Sequence, residues 1–274
     1  MTRWMQRRVT LIVSVLCLGC GGEQSAKAPT NNRRVPIETR PAPLDDAAET
    51  EKIKSADVSV LYFGNSHTGH HDIPNLVGRM IAFRRPKISY YSRHIGCGFL
   101  EDAAGNPASK ATIQKQPWKF VVLQAQKISM SGKYRYSQKE GIELAKAARD
   151  RGAEALFFSE WGRRDVPKDG VVQESIYQEM ADAAGVRVAP VGRAWDVALA
   201  SKPTLPLYDP DGNRESGVGA FLTACVFFSL FTDSDPAELA SFEHFDLSRA
   251  DRTVMANAAS KVWKDERAKS AKMQ

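Results

Sequence analysis

Beyond about Ser55 the chain alternates short apolar runs with amphipathic stretches. Val58 to Phe63 is apolar and rich in β-branched residues and ends at Gly64, which predicts a buried parallel strand feeding a turn. Ile73 to Phe83 follows, with Asp72 before it and Pro74 in its first turn, and reads as a helix. Further strands are predicted at Ile88 to Ser92, Phe120 to Leu123, Ala155 to Phe158 and Val186 to Val191, with helices at about 138–151 and 171–184 between them. An apolar helix is expected from about Val218 to Phe231. A final amphipathic helix is expected from Ser248 to about Lys264, with a Ser N-cap and Asp251 at the third helical position.

Strands that alternate with helices predict an α/β fold, a three-layer α/β/α sandwich with a mostly parallel five-stranded sheet and right-handed crossovers. Ligands of such sheets bind beyond the carboxyl ends of the strands. The residues with chemistry to offer fall there: Gly64-Asn65-Ser66 after the first strand, Gly96-Cys97-Gly98 after the second, Gln124-Ala125-Gln126 after the third.

The first residues have a different pattern. Arg3, Arg7 and Arg8 precede an apolar run, Val9 to Leu18, too short to span a bilayer as a mature helix. Leu18-Gly19-Cys20 then resembles a lipobox, although Cys17 stands where Leu is usual. These features predict a lipoprotein signal peptide over 1–19, acylation at Cys20, and an exported protein anchored in a membrane facing the periplasm or the cell surface. Gly, Ser, Ala, Pro, Asn and charged residues dominate the next stretch, so 20–54 is expected to be a flexible tether. One domain is expected over 55–267, a span suited to a single α/β core, and a disordered tail over 268–274.

Charge and cysteines narrow the classes further. The net charge of +6 includes the three leader arginines and no leader acid, so it falls to +3 on processing. That is too mild for nucleic-acid binding, and no basic stripe with interleaved aromatics is present. Cys97 and Cys225 have no metal-ligand spacing; two buried thiols are expected, with a disulfide left open because the protein is read as exported.

Ser66 stands at a strand-to-helix turn, where helix amides favour an oxyanion on a bound substrate. Taken alone, Gly-Asn-Ser is also an ordinary turn and N-cap. The order of four blocks carries more information: Tyr62-Phe-Gly-Asn-Ser-His-Thr68 with Asp72-Ile-Pro74, then Gly98-Phe-Leu100, then Trp118-Lys-Phe-Val-Val-Leu-Gln124, then Asp211 ahead of Gly219-Ala-Phe-Leu222. Over about Val58 to Pro236 the chain resembles the SGNH/GDSL hydrolase superfamily, in its Gly-Asn-Ser branch. The resemblance implies the flavodoxin-like SGNH fold and ester hydrolysis with no cofactor and no metal, on small-molecule or glycan esters. It implies Ser66 as nucleophile, and the N–H groups of Ser66 and Gly98 with the side chain of Gln124 as oxyanion donors.

The last block departs from the family. Asp211 matches the triad acid, but Arg214 stands where the histidine base belongs. A guanidinium stays protonated and has no acceptor, so it cannot take a proton from Ser66. Three substitutes are available in sequence: His70, four residues after Ser66 and so on the same face if a helix starts there; His244, in the loop before the last helix; and Asp211 acting alone. His67, adjacent to Ser66, should point elsewhere. An alternative is a catalytically inactive, hydrolase-derived lipoprotein that binds an anionic ligand through the planar fork of Arg214. His67, His70, His71 and Asp72 also offer metal-type ligands, but no distal ligand motif accompanies them and no metal is assigned.

Overall fold

A computed structural model describes residues 47–244 and 247–272. The expected signal peptide, Cys20 and the expected tether as far as residue 46 lie outside the described residues. Five strands form one parallel sheet in the order β2-β1-β3-β4-β5: β1 Val58–Gly64, β2 Tyr90–Gly96, β3 Phe120–Leu123, β4 Glu154–Phe158 and β5 Arg187–Ala189. The helices are α1 Ala47–Ser55, α2 Ser66–Gly69, α3 Ile73–Arg84, α4 Leu100–Gly105, α5 Pro107–Lys115, α6 Lys139–Asp150, α7 Asp169–Ala184, α8 Val191–Ser201, α9 Gly217–Thr232 and α10 Arg249–Lys272, with a 3-10 turn at Pro236–Ser241. The α/β expectation holds, with every strand pair parallel.

Strand alternation builds the three layers, because successive side chains leave opposite faces of a sheet. Val60, Tyr62, Val122, Leu156 and Phe158 face a core shared with α3, α8, α9 and α10. Leu61, Phe63, Val121, Leu123 and Phe157 face a second core shared with α1, α4, α6 and α7. Helix α9 is buried almost all round, Phe221, Phe227 and Phe228 being fully inaccessible. It is a core helix beneath α10, and among the described residues no helix is long and apolar enough to cross a membrane.

Several boundaries differ from expectation. The second strand runs over Tyr90–Gly96 and not from Ile88 to Ser92, since its register pairs Val58 with Tyr90 and Gly64 with Gly96. Being an edge strand with half-exposed Ser92, Arg93 and His94, it has no apolar run to mark it. Strand β5 stops at Ala189, because Pro190 cannot donate to the ladder and Val191 opens α8. Helix α10 continues to Lys272 through what was expected to be a tail; it contains no Gly or Pro, and Lys261–Asp265 and Lys269–Glu266 pairs line its far half.

The folded unit also starts earlier than Ser55. Helix α1 covers Ala47–Ser55, part of the expected tether, and is fixed by Ile53, which is fully buried. Glu49 adds an ion pair to Arg93 at 2.7 Å and accepts from Tyr91 Oη at 3.0 Å. The two remaining cysteines are both free and buried, Cys225 in the first core and Cys97 in the second, on opposite faces of the sheet. Ile53→Ala is therefore expected to lower unfolding stability by about 2–4 kcal/mol, read from urea denaturation; an unchanged midpoint would mean that α1 is not part of the cooperative unit.

Candidate active site

In a sheet ordered 2-1-3-4-5 the direction in which strands are added reverses at β1, and the crevice between the ends of β1 and β3 is the natural binding position. Gly64, Asn65 and Ser66 leave β1 there. A side chain at position 64 has no room: a Cβ would lie 2.2 Å from Thr68 Oγ1 and 2.7 Å from Gln124 Oε1. Asn65 caps the turn, its Oδ1 accepting from His67 N at 2.9 Å, and Ser66 is exposed at the first helical position.

Gln124, fully buried at the end of β3, fastens this turn. Its Oε1 accepts from Asn65 N at 2.9 Å and Thr68 Oγ1 at 2.8 Å. Its Nε2 donates to Asn65 Oδ1 at 2.9 Å and to Glu160 Oε1 at 2.5 Å. Both amide hydrogens are thus taken, and Gln124 offers none to an oxyanion in this arrangement. It holds Asn65 in place, a different task from the one the resemblance implies. Backbone donors remain. The N–H groups of Ser66 and Gly98 make no hydrogen bond among the described residues, and both follow the paired ends Gly64 and Gly96 of adjacent strands by two residues.

The last block forms a tight hairpin. Tyr208 bridges Glu215, Asp209 N donates to Arg214 O at 2.9 Å, and Gly212 takes a positive φ of 70° at the turn. Asn213 O then accepts from Trp161 Nε1 at 2.9 Å and lies 3.2 Å from His67 Nε2. His67 is buried against Trp161, with ring centroids 5.1 Å apart. It does point away from the exposed face that carries Ser66, and it ties the serine turn to the loop of Asp211 and Arg214. Trp161 stacks in turn on Trp195 at 4.1 Å, so the contact rests on the core.

Within the hairpin Arg214 pairs with Asp211. Its Nε donates to Asp211 Oδ2 at 2.7 Å, while Asp211 Oδ1 accepts from the N–H groups of Asn213 and Arg214. These bonds, that of the guanidinium foremost, hold the Asp211 carboxyl well below the ordinary carboxylate range. A carboxylate so stabilised is a weak base.

The histidine substitutes lie apart from one another in role. His70 caps α2 and its Nε2 lies 2.7 Å from Asp209 Oδ2. His71 Nε2 is 4.0 Å from Asp209 Oδ1, and the two imidazoles meet edge to face at 4.5 Å. His244 is buried beside Phe221 and Phe242; burial, and then Arg79, lower its pKa to about 4. Among the described residues no side chain hydrogen-bonds Ser66 Oγ. Below the hairpin Glu215 is fully buried, and burial raises its pKa to about 8.

Sequence reasoning missed Glu160, Asp209 and the bridging part of His67. Glu160 had a positional signal, since it follows the fourth strand at its carboxyl end. Asp209 had none, because in Asp209-Pro-Asp211 only the second acid matches the family spacing.

No family model and no curated protein matches the chain. Among solved structures, a DUF4886 family protein of Bacteroides uniformis superposes with a TM-score of 0.55 at 15% identity, over 75% of this chain and 94% of that one. A protein of Slackia heliotrinireducens described as an SGNH hydrolase gives 0.51 at 19% identity, over 63% and 97%. A protein of Parabacteroides merdae described as a GDSL-like lipase gives 0.50 at 12% identity, over 65% and 96%. The fold is that of the SGNH/GDSL hydrolases, as the sequence motifs indicated.

The environment of His244 sets a pH dependence. Its folded pKa, about 4, lies below the unfolded value of 6.5, so the unfolded chain binds the extra proton between these values and stability is lost as pH falls through that window. Relative to His244→Gln, the protein should lose on the order of 2–3 kcal/mol from pH 7 to pH 4. Parallel pH profiles of the two in urea titrations would contradict this.

Proposed function

We propose that this chain is a cell-envelope serine hydrolase of SGNH type, acting on carboxylic or carbohydrate esters through Ser66, and slowed by the replacement of its triad histidine by Arg214. The observation that carries the reading is the 2.7 Å bond from Arg214 Nε to Asp211 Oδ2, at the foot of a hairpin bonded to the turn that presents Ser66. Ser66 Oγ would attack the ester carbonyl, and the carbonyl oxygen, as it gains charge, would face the N–H groups of Ser66 and Gly98. No side chain among the described residues hydrogen-bonds Oγ, so its proton passes to solvent water, which in turn protonates the departing alcohol oxygen, and that unassisted transfer limits the rate. In a serine protease, loss of the triad histidine costs on the order of 10⁶ in kcat, while binding and oxyanion stabilisation still leave on the order of 10³–10⁴ over water.

A second reading, a binding protein for an anionic ligand, draws on one feature: the terminal nitrogens of Arg214 make no hydrogen bond among the described residues. Asp211 offsets the charge of Arg214, and Asp209 and Glu215 stand close by, so the local field favours an anion weakly. The reading of Cys20 as a lipid anchor belongs to the same proposal and rests on the N-terminal pattern alone.

Hydrolysis of a short-chain nitrophenyl ester separates these readings. Wild type should be slow, Ser66→Ala slower still, and Arg214→His faster than wild type by at least about 10²-fold, since a general base contributes ~10²–10⁴. No gain in Arg214→His, with weaker binding of an acidic glycan in Arg214→Ala, would favour the binding protein. Metabolic labelling with an alkynyl fatty acid should mark wild type and not Cys20→Ala; equal labelling of both would remove the anchor.

A further inference from the structure

We propose that His70, His71 and Asp209 form a binding site for a divalent transition-metal ion of the zinc class, beside Ser66. The ligand atoms of these three residues lie within 4.8 Å of one another. His70 Nε2 and Asp209 Oδ2 are 2.7 Å apart, and His71 Nε2 is 4.0 Å from Asp209 Oδ1. A tetrahedral ion with bonds of about 2.0–2.1 Å sets its ligands roughly 3.3 Å apart, and the observed spacings bracket that value. The adjacent histidines alone would carry little weight; Asp209, 138 positions beyond His71 in sequence, is the distal ligand that no spacing in the chain announces.

The donor set fits the ion. Two imidazoles and one carboxylate suit a borderline-soft cation, and three protein ligands leave the fourth position open, as in zinc sites that bind a water or a substrate. All three side chains are partly solvent-exposed, which gives an ion a way in. The ligand backbones are fixed. His70 N donates to Ser66 O at 2.8 Å, and Asp209 is held by its bond to Arg214 O and by Arg164, whose Nη2 donates to Asp209 O at 2.8 Å.

A second observation points the same way. Glu215 is fully buried behind this cluster, and neither carboxylate oxygen has a hydrogen-bond partner of ordinary geometry. Its nearest donors are backbone N–H groups, its own and that of His71. A buried carboxyl with no side-chain partner costs free energy unless a neighbour offsets it. A cation held by His71 and Asp209 supplies that neighbour, since Glu215 lies against the His71 backbone and near Asp209.

The site stands independently of the esterase reading, and its test reads metal and not turnover. The full chain, stripped with a chelator, is titrated with Zn²⁺ by calorimetry and with Co²⁺ by visible absorption. One ion per chain is expected, with the intense d–d bands of a four-coordinate site. His71→Ala and Asp209→Asn, both at the partly exposed rim, should each weaken Zn²⁺ binding at least tenfold and abolish the Co²⁺ bands, with thermal melts of the apo forms checking that they fold. Ser66→Ala and His244→Gln should bind as wild type does. Absence of micromolar Zn²⁺ binding in wild type, or affinity and Co²⁺ spectrum unchanged in both rim variants, overturns the site. Neither outcome touches the role of Ser66, and an inactive Ser66 would leave the metal result standing.

Discussion

The side-chain amide of Gln124 is sealed at the switch point of the sheet, away from water, and a buried amide is stable only when its donors and acceptors are met. Here all four hydrogen-bonding positions are filled, two on Oε1 by Asn65 N and Thr68 Oγ1 and two on Nε2 by Asn65 Oδ1 and Glu160. The pattern also fixes which end is oxygen, because Asn65 N–H can only donate. Gly64 is demanded by the same packing. The turn that presents Ser66 therefore has one conformation, set from beneath by a residue on a neighbouring strand.

A second tie sets the distance from Ser66 to the last block. His67 and Trp161 both reach Asn213 O, so the residue after the serine and the residue before Arg214 are joined through one carbonyl. The stacked Trp161 and Trp195 carry this contact into the core under α9. The fold of the SGNH hydrolases thus holds the Ser66 turn and the hairpin of Asp211 and Arg214 side by side. On the function proposed, Arg214 supplies the bond to Asp211 but no base, since a guanidinium donates and does not accept.

Much of this was legible in the sequence, for reasons that differ from element to element. Val58 to Phe63 and Phe120 to Leu123 are central strands buried on both faces, and a continuous apolar run marks such strands plainly. Tyr90–Gly96 is an edge strand with mixed polarity, so its place was misjudged by two to four residues. Helix α1 follows a stretch of polar sequence and buries a single large apolar side chain, Ile53, which gives no periodic signal. At the candidate site, Ser66, Gly98, Asp211 and Arg214 could be singled out because the motif spacing lies along the chain. The partnership of Gln124 with Glu160 and of His70 with Asp209 was not, because these contacts exist only after the strands and the hairpin have been brought together.

The proposed function requires Ser66 to sit in a nucleophile turn that lacks its base. Intact-protein and peptide mass spectrometry after treatment of Arg214→His with a fluorophosphonate tests this most directly. The account predicts one adduct per chain, on the peptide that contains Ser66, forming faster than in wild type. An adduct at another residue, or none although the variant is folded, would contradict it.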